Sequence, residues 1–396
     1  MSFYSEAQAM AGYLTDLRRE FHRHPCISRE EFWTAERIER ELDAIGVTEH
    51  VRVDGSAVVA SIFGEKEGDR VMALRADIDA LAIREADETR EYRSREEGKM
   101  HACGHDAHTS ALIGAARLLM AHRGEFGGEV RLIFEHAEEM GYGARVLIRE
   151  GALAGVGRIF GVHMAPDMVC GKVGVRVGPN VASVDHFTVK VHGEAAHVSV
   201  PHQGVDALYI ASQIVVALQA LVTRRSSPVE PLVIGVGKLH AGSSYNIVAP
   251  YAELEGTTRA FTPERRETTN AEIDKLCKGI AEIYGGSAEI EWEDFGSSII
   301  NPERPCKEAG DIVCDLFGGD ALVTDRPICC IGDDFSEYQL KVPGVYAFVG
   351  SCDPTRPDTG VPLHNDRFDI DERVIPMVAA MHAEYAVRYL TGKLEK

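Results

Sequence analysis

The stretch Val130-Arg131-Leu132-Ile133-Phe134-Glu135-His136-Ala137-Glu138-Glu139 decides the fold. Its first half is a short apolar run of the kind that forms a buried strand. Its second half follows that strand with two adjacent carboxylates. In an α/β protein the C-terminal ends of the strands form the ligand-binding edge. Working outward, short apolar runs at 57–63, 71–75, 158–162 and 345–349 read as further strands, the one at 158–162 ending at His163. Runs at 6–24, 111–121, 145–154, 306–317 and from 374 onward read as helices. Ser28 followed by Glu31 resembles a capping box that opens another helix. Strands alternating with helices predict an α/β fold, a mixed, mostly parallel sheet flanked by helices.

Near residue 185 the pattern changes. Phe187, Val189 and Val191 alternate with polar residues, as in a half-buried strand. A long apolar helix over 205–222, strands at 232–239 and 252–261, a helix from Pro263 to 284 and a strand at 288–292 complete a β-α-β-β-α-β order, which is ferredoxin-like. The α/β pattern resumes near Asn301. The expected organisation is a first domain in two parts, 1–184 and 299–396, with a second domain, 185–298, inserted between them.

A chain of 396 residues suits two domains. Its 42 basic and 62 acidic residues give a net charge of −20, which argues against a nucleic-acid partner. The start, Met1-Ser2-Phe3-Tyr4-Ser5-Glu6, predicts no secretory leader. No apolar run reads as long enough to span a bilayer, so no membrane is expected. Nine cysteines without a CxxC pair point to the reducing cytoplasm.

Several residues outside the opening stretch carry chemistry. His101-Ala102-Cys103-Gly104-His105-Asp106-Ala107-His108 packs sulfur, imidazole and carboxylate into one turn region. Cys103 and His105 suit zinc or a similar divalent metal, with Gly104 allowing the tight backbone. The same pair also reads as a core cysteine beside a structural histidine, or as a Cys103 nucleophile with His105 as its base. Glu138-Glu139 reads either as a solvated acidic turn or as a ligand, Glu139, beside an unbound general base, Glu138. His163 and His364 are each ordinary histidines taken alone and gain meaning by completing a metal set. Asp77 reads as the orienter of a ligand histidine or as a helix cap. His197, in the segment 193–202, reads as an oxyanion donor or a loop histidine. Asn246 and Arg259 lie near strand edges of the inserted domain; Arg259 has the fork to bind a substrate carboxylate, or forms a surface ion pair.

Several stretches together carry a resemblance. They are Phe21-His22-Arg23-His24-Pro25, Ala73-Leu74-Arg75-Ala76-Asp77-Ile78-Asp79-Ala80-Leu81, residues 100–108, Ala137-Glu138-Glu139, Gly161-Val162-His163 and residues 193–202. Tyr245-Asn246-Ile247-Val248-Ala249-Pro250, Gly256-Thr257-Thr258-Arg259, Asp333-Asp334-Phe335-Ser336, Leu363-His364 and Phe368-Asp369-Ile370-Asp371-Glu372 extend it over nearly the whole chain. They resemble the di-metal aminoacylase and hippurate-hydrolase amidohydrolases of peptidase family M20, within the zinc-dependent exopeptidase superfamily.

The resemblance implies a catalytic domain with two divalent metal ions, zinc favoured and manganese or cobalt as alternatives. It also implies a smaller lid domain that mediates a homodimer or homotetramer. Carried over by position, Cys103, His105, Glu139, His163 and His364 are the metal ligands and Glu138 the general base and acid. His197 stabilises the tetrahedral intermediate, and Asn246 and Arg259 contact substrate. The chain departs from the family pattern at Glu135-His136, where Gln-Pro is usual, at Ala195-Ala196, where Gly-Gly is frequent, and at Cys26, where Glu is common. The implied activity is hydrolysis of the amide bond of N-acyl-L-amino acids or small dipeptide-like amides. The alternatives are a dipeptidase or N-acetyl-diaminopimelate-type deacetylase of the same family, a cysteine hydrolase, and a catalytically silent metal- or ligand-binding protein.

Overall fold

The structure is a computed structural model that describes residues 2–395. They divide into two compact units, residues 2–178, 301–327 and 333–395 forming one and residues 179–300 and 328–332 the other.

Among the described residues the larger unit is built on an eight-stranded sheet. Its order is His50–Val53, Ala57–Phe63, Gly127–Glu135, Lys66–Asp77, Val156–Val169, Gly344–Cys352, Val173–Gly174, Leu322–Val323. The central strands from Gly127–Glu135 to Gly344–Cys352 run parallel, and antiparallel pairs flank them. Helices His105–Ala121 and Val374–Leu390 pack on each other and on Lys66–Asp77; the short helices Gly143–Arg149 and Phe335–Gln339 pack on each other. Strands covered in this way are apolar along their whole length, and Met72, Ala73, Leu74, Leu132, Phe134, Phe160 and Val345 are buried. This is the α/β fold that the alternating runs predict.

The parallel register places the chemistry. Asp77 pairs with Glu135 and Arg75 with Gly161. Asp77 and the turn after Glu135 therefore leave the sheet at one edge, and His163 lies two residues beyond Gly161 on the neighbouring strand. His163 does not end its strand, as the apolar run suggested. The strand continues to Val169 because its backbone stays paired with Gly344–Cys352, His163 opposite Phe348. The helix expected at 111–121 starts at His105, and the one expected at 6–24 is two, Phe3–Ala9 and Ala11–Arg23. The capping box at Ser28 and Glu31 does not form: the helix begins at Phe32 and no side chain caps it.

The inserted unit carries a four-stranded antiparallel sheet in the order Ser287–Gly296, Ser183–His192, Tyr251–Ala260, Val233–Ala241. With helices Ala207–Ala220 and Pro263–Ile283 it makes the β-α-β-β-α-β arrangement. Its core is Phe187, Val189, Val191, Ile210, Ile214, Leu254 and Ile273. One expectation is corrected here: the helical stretch Ala207–Arg225, at 19 residues, is long and apolar enough to cross a membrane by length and composition. Its apolar residues serve two faces. Ile210, Ala211, Ile214 and Leu218 are buried in the unit's core, while Leu208, Tyr209 and Val216 are exposed.

Candidate metal centre

Gly104 has φ +95°, and a Cβ there would come within 3.0 Å of Met164 Cγ. Glycine alone adopts that conformation freely, and it turns the chain from Cys103 straight into the helix His105–Ala121. Buried His105 has Nδ1 2.9 Å from the Asp79 carbonyl oxygen and 3.2 Å from Asp79 Oδ1. Nδ1 therefore carries a proton, and the buried Nε2 has no hydrogen-bond partner. His163 repeats this logic: Nδ1 donates to the Met164 carbonyl at 2.8 Å, and Nε2 faces Cys103 Sγ at 3.4 Å. Beyond the strand Gly127–Glu135, Ala137 (φ 52°) turns the chain into the short turn that carries Glu138 and Glu139. His364 also has positive φ, 61°, with its backbone N–H on the Ala102 carbonyl at 2.8 Å. Its Nε2 lies 3.2 Å from Glu139 Oε1, yet that oxygen is without a hydrogen-bond partner.

These donors converge, and two of their atoms, His105 Nε2 and Glu139 Oε1, are buried without a hydrogen-bond partner. The ligand atoms of Cys103, His105 and His163 lie within 4.8 Å of each other, as do those of Cys103, Glu139 and His364. Sulfur, imidazole and one carboxylate form a donor set suited to zinc-like cations. The electrostatics agree. Burial opposes charge on His105, but Asp77, Asp79 and Glu139 outweigh it and hold its pKa up to about 10. Burial, then Glu139 and Glu138, push the Cys103 thiol well above its ordinary value, so only a nearby cation favours the thiolate. The carboxylates around His105 and Cys103 thus make this a place that favours positive charge. Cys103 belongs to both clusters, one wholly buried and the other open at His364, whose side chain is 51% exposed.

Glu138 is buried and sits 3.9 Å from His105 Nε2. Burial, then Asp333 and Glu139, push its carboxyl well above the usual carboxylate range. Asp77 orients a histidine, but it is His108 and not the ligand candidate expected: Asp77 Oδ1 is 2.6 Å from His108 Nδ1, and the Met164 N–H donates to His108 Nε2 at 3.0 Å. His105 is held by Asp79 instead. Nor does Asp77 cap a helix; it closes the strand Lys66–Asp77.

The sequence reading missed the group behind this wall. Arg75 is fully buried and faces four carboxylates, Asp77 at 2.6 Å, Glu135 at 2.5 Å, Asp333 at 3.2 Å and Asp334 at 3.3 Å. Tyr346 donates its hydroxyl to Asp333, and the Ala144 N–H donates to Asp334 at 3.1 Å. Asp333 and Asp334 place oxygens within 4.8 Å of Glu138. The available signal was the arginine itself: a charge inside an otherwise apolar central strand must be paired.

In the inserted unit His197 and Asn246 come together. The segments carrying them pair through His197 with Ile247 and through Val198 N–H to the Asn246 carbonyl at 3.1 Å. Ser199 N–H donates to His197 Nδ1 at 3.1 Å, which leaves the ring proton on exposed Nε2. Arg259 lies apart, eight residues along from Tyr251 in the strand Tyr251–Ala260, a separation of about 26 Å at the rise of an extended chain. Its Nε donates to the Cys330 carbonyl at 3.1 Å and one terminal nitrogen to the Thr258 carbonyl at 2.8 Å and to Thr257. The fork expected for a carboxylate is thus partly occupied within the unit.

The chain resembles known proteins over its whole length. It is 36% identical to the N-acetylcysteine deacetylase of Bacillus subtilis over 94% of this chain and 96% of that protein. It is 34% identical to the IAA-amino acid hydrolase ILR1-like 4 of Arabidopsis thaliana, over 96% of this chain and 86% of that one. The crystal structure of the Bacillus subtilis YXEP protein, described as a dinuclear metal binding peptidase of the M20 family, superposes with a TM-score of 0.85. It is 34% identical and covers 97% of this chain and 99% of that one. The model of Peptidase family M20/M25/M40 matches residues 73–388. With this match spanning the inserted unit and every candidate ligand, the chain belongs to peptidase family M20/M25/M40.

Proposed function

We propose that this protein is a metal-dependent amidohydrolase that cleaves N-acyl-L-amino acids to a carboxylate and a free amino acid. The observation that carries the reading is the convergence of Cys103, His105, Glu139, His163 and His364, with His105 Nε2 and Glu139 Oε1 buried and unpartnered, beside the carboxylate of Glu138. The relatives' names, a deacetylase of N-acetylcysteine and a hydrolase of an acyl-amino acid, support the substrate class. A divalent metal pair held by those five residues supplies Lewis acidity to the scissile carbonyl and acidifies water. The thiol of Cys103 favours zinc over manganese or cobalt. Glu138 takes a proton from the attacking water and returns it to the leaving amine nitrogen; it is buried and 3.9 Å from His105 Nε2, within reach of the donor set for both steps. His163 and His105 are kept as lone-pair donors by their bonds to the Met164 and Asp79 carbonyls. His197 donates through Nε2–H to the oxyanion. Metal analysis and hydrolysis of an N-acyl-amino-acid panel test this. The expected result is close to two metals per chain, with turnover lost on chelation and restored by zinc or manganese. Activity that survives chelation overturns it.

His197→Ala is expected to lower kcat by about 10²- to 10³-fold, as for an oxyanion donor, with metal content unchanged. A change confined to KM assigns His197 to binding instead.

Arg259 stands about 26 Å along its strand from Tyr251, the end that follows the Asn246 segment, a span longer than a small acyl amino acid. This supports a homodimer or homotetramer in which two chains complete each site. Leu208, Tyr209 and Val216, exposed on the helix Ala207–Ala220, offer an apolar surface for it. The nine cysteines are free thiols, which suits a reducing cytoplasm.

The second reading, a cysteine hydrolase, draws on the 3.4 Å between Cys103 and His163. His105, the base first considered for it, is committed to Asp79. The raised Cys103 thiol disfavours that chemistry.

A further inference from the structure

Glu31 is fully buried and caps no helix. Its Oε1 accepts the backbone N–H of Ala137 at 2.8 Å and of Arg29 at 2.9 Å; its Oε2 accepts the Ser56 hydroxyl at 2.7 Å. Ala137 is the residue that decides how the chain leaves the strand Gly127–Glu135. Its φ of 52° lies in the left-handed region, which alanine enters only when its surroundings impose it. The next two residues are Glu138, whose carboxylate faces His105, and Glu139, whose Oε1 faces His364. A return of Ala137 to an ordinary conformation redirects both.

Ser28, the other residue of the apparent capping box, makes the matching contact. Its hydroxyl donates to Asp79 Oδ2 at 2.7 Å, and the Glu139 N–H donates to the same oxygen at 3.0 Å. Asp79 also holds His105 Nδ1. The short segment from Ser28 to Glu31 therefore braces the turn on two sides, through Asp79 at Glu139 and directly at Ala137.

We propose that Glu31 is a positioning residue whose reach to the Ala137 N–H holds the left-handed turn that sends Glu138 and Glu139 to different tasks. The inference deepens the amidohydrolase reading and rests on it for its kinetic test, but it also predicts an effect on metal affinity that needs no turnover. Two conservative variants separate reach from charge. Glu31→Gln keeps the length; its amide oxygen still accepts both N–H groups, and the Ser56 hydroxyl takes its NH₂. Glu31→Asp keeps the charge but is one methylene short of Ala137.

Glu31→Asp is expected to lose about 10- to 100-fold in kcat and a similar factor in zinc affinity by chelator competition, as for residues that orient ligands, with KM little changed. Glu31→Gln is expected to stay near wild type in both. Glu31→Asp with wild-type kcat and zinc affinity overturns the proposal. So does Glu31→Gln impaired as much as Glu31→Asp, because the charge and not the reach then matters. A fall in melting temperature without either functional change assigns Glu31 to stability alone. A wild-type protein that hydrolyses no acyl amino acid defeats the amidohydrolase reading, while the zinc titration of the two variants still decides the role of Glu31.

Discussion

Glu138→Gln is expected to retain both metals and lose kcat by at least about 10²- to 10⁴-fold, the usual contribution of a positioned acid–base group. The amide is nearly isosteric with the carboxylate, so the turn, the Glu139 donor and the fold persist. The lost property is the ability to take and return a proton. Burial, then the acidic neighbours, raise the Glu138 carboxyl, which lies 3.9 Å from His105 Nε2. Single-turnover kinetics with elemental analysis on the same preparation check the prediction. Near-wild-type kcat sinks the assignment of Glu138 as base; loss of metal together with rate moves it into the ligand set.

The largest effect on stability is expected at Arg75→Met. The side chain volume is roughly kept, but Asp77, Glu135, Asp333 and Asp334 lose their shared cation in a site closed to water. Breaking a buried ion pair by removing one partner costs about 3–5 kcal/mol, and here one guanidinium serves four partners. The pH dependence has a definite sign. Burial already raises Glu135, Asp333 and Asp334, with Arg75 opposing that rise. Without Arg75 they rise further. A carboxyl whose folded pKa lies above its unfolded value stabilises the fold at low pH and loses that contribution as pH rises. The stability gap between variant and wild type should therefore narrow as pH is lowered from neutrality toward the ordinary carboxylate range. Denaturant titrations at several pH values measure it, and a gap that widens on acidification contradicts the account.

Periodicity and turn residues made much of this molecule legible. The alternation of Phe187, Val189 and Val191, and the helix and strands after it, led to the ferredoxin-like arrangement because side-chain period maps directly onto burial. The ligand-type residues at strand ends were legible because parallel strands deliver their ends to one edge. What failed did so for identifiable reasons. Ser28 and Glu31 match a capping box in type and spacing, but their side chains found stronger partners in Asp79 and Ala137 across the fold. His163 looked terminal because the apolar run stops there, whereas hydrogen bonding to Gly344–Cys352 carries the strand onward. Asp77 and Asp79 have the same chemistry two residues apart, and only the structure shows which histidine each one holds. The long apolar stretch Ala207–Arg225 was underestimated because a helix that feeds a core on one side and stays apolar on the other needs no charged stripe.

The sharing of Cys103 between the two donor clusters bears on how ions would exchange. The cluster of Cys103, His105 and His163 is buried throughout, and the other ends at the exposed His364. If each cluster takes one ion, the ion beside His364 is expected to leave first when a chelator is titrated in, and the one among the buried donors last.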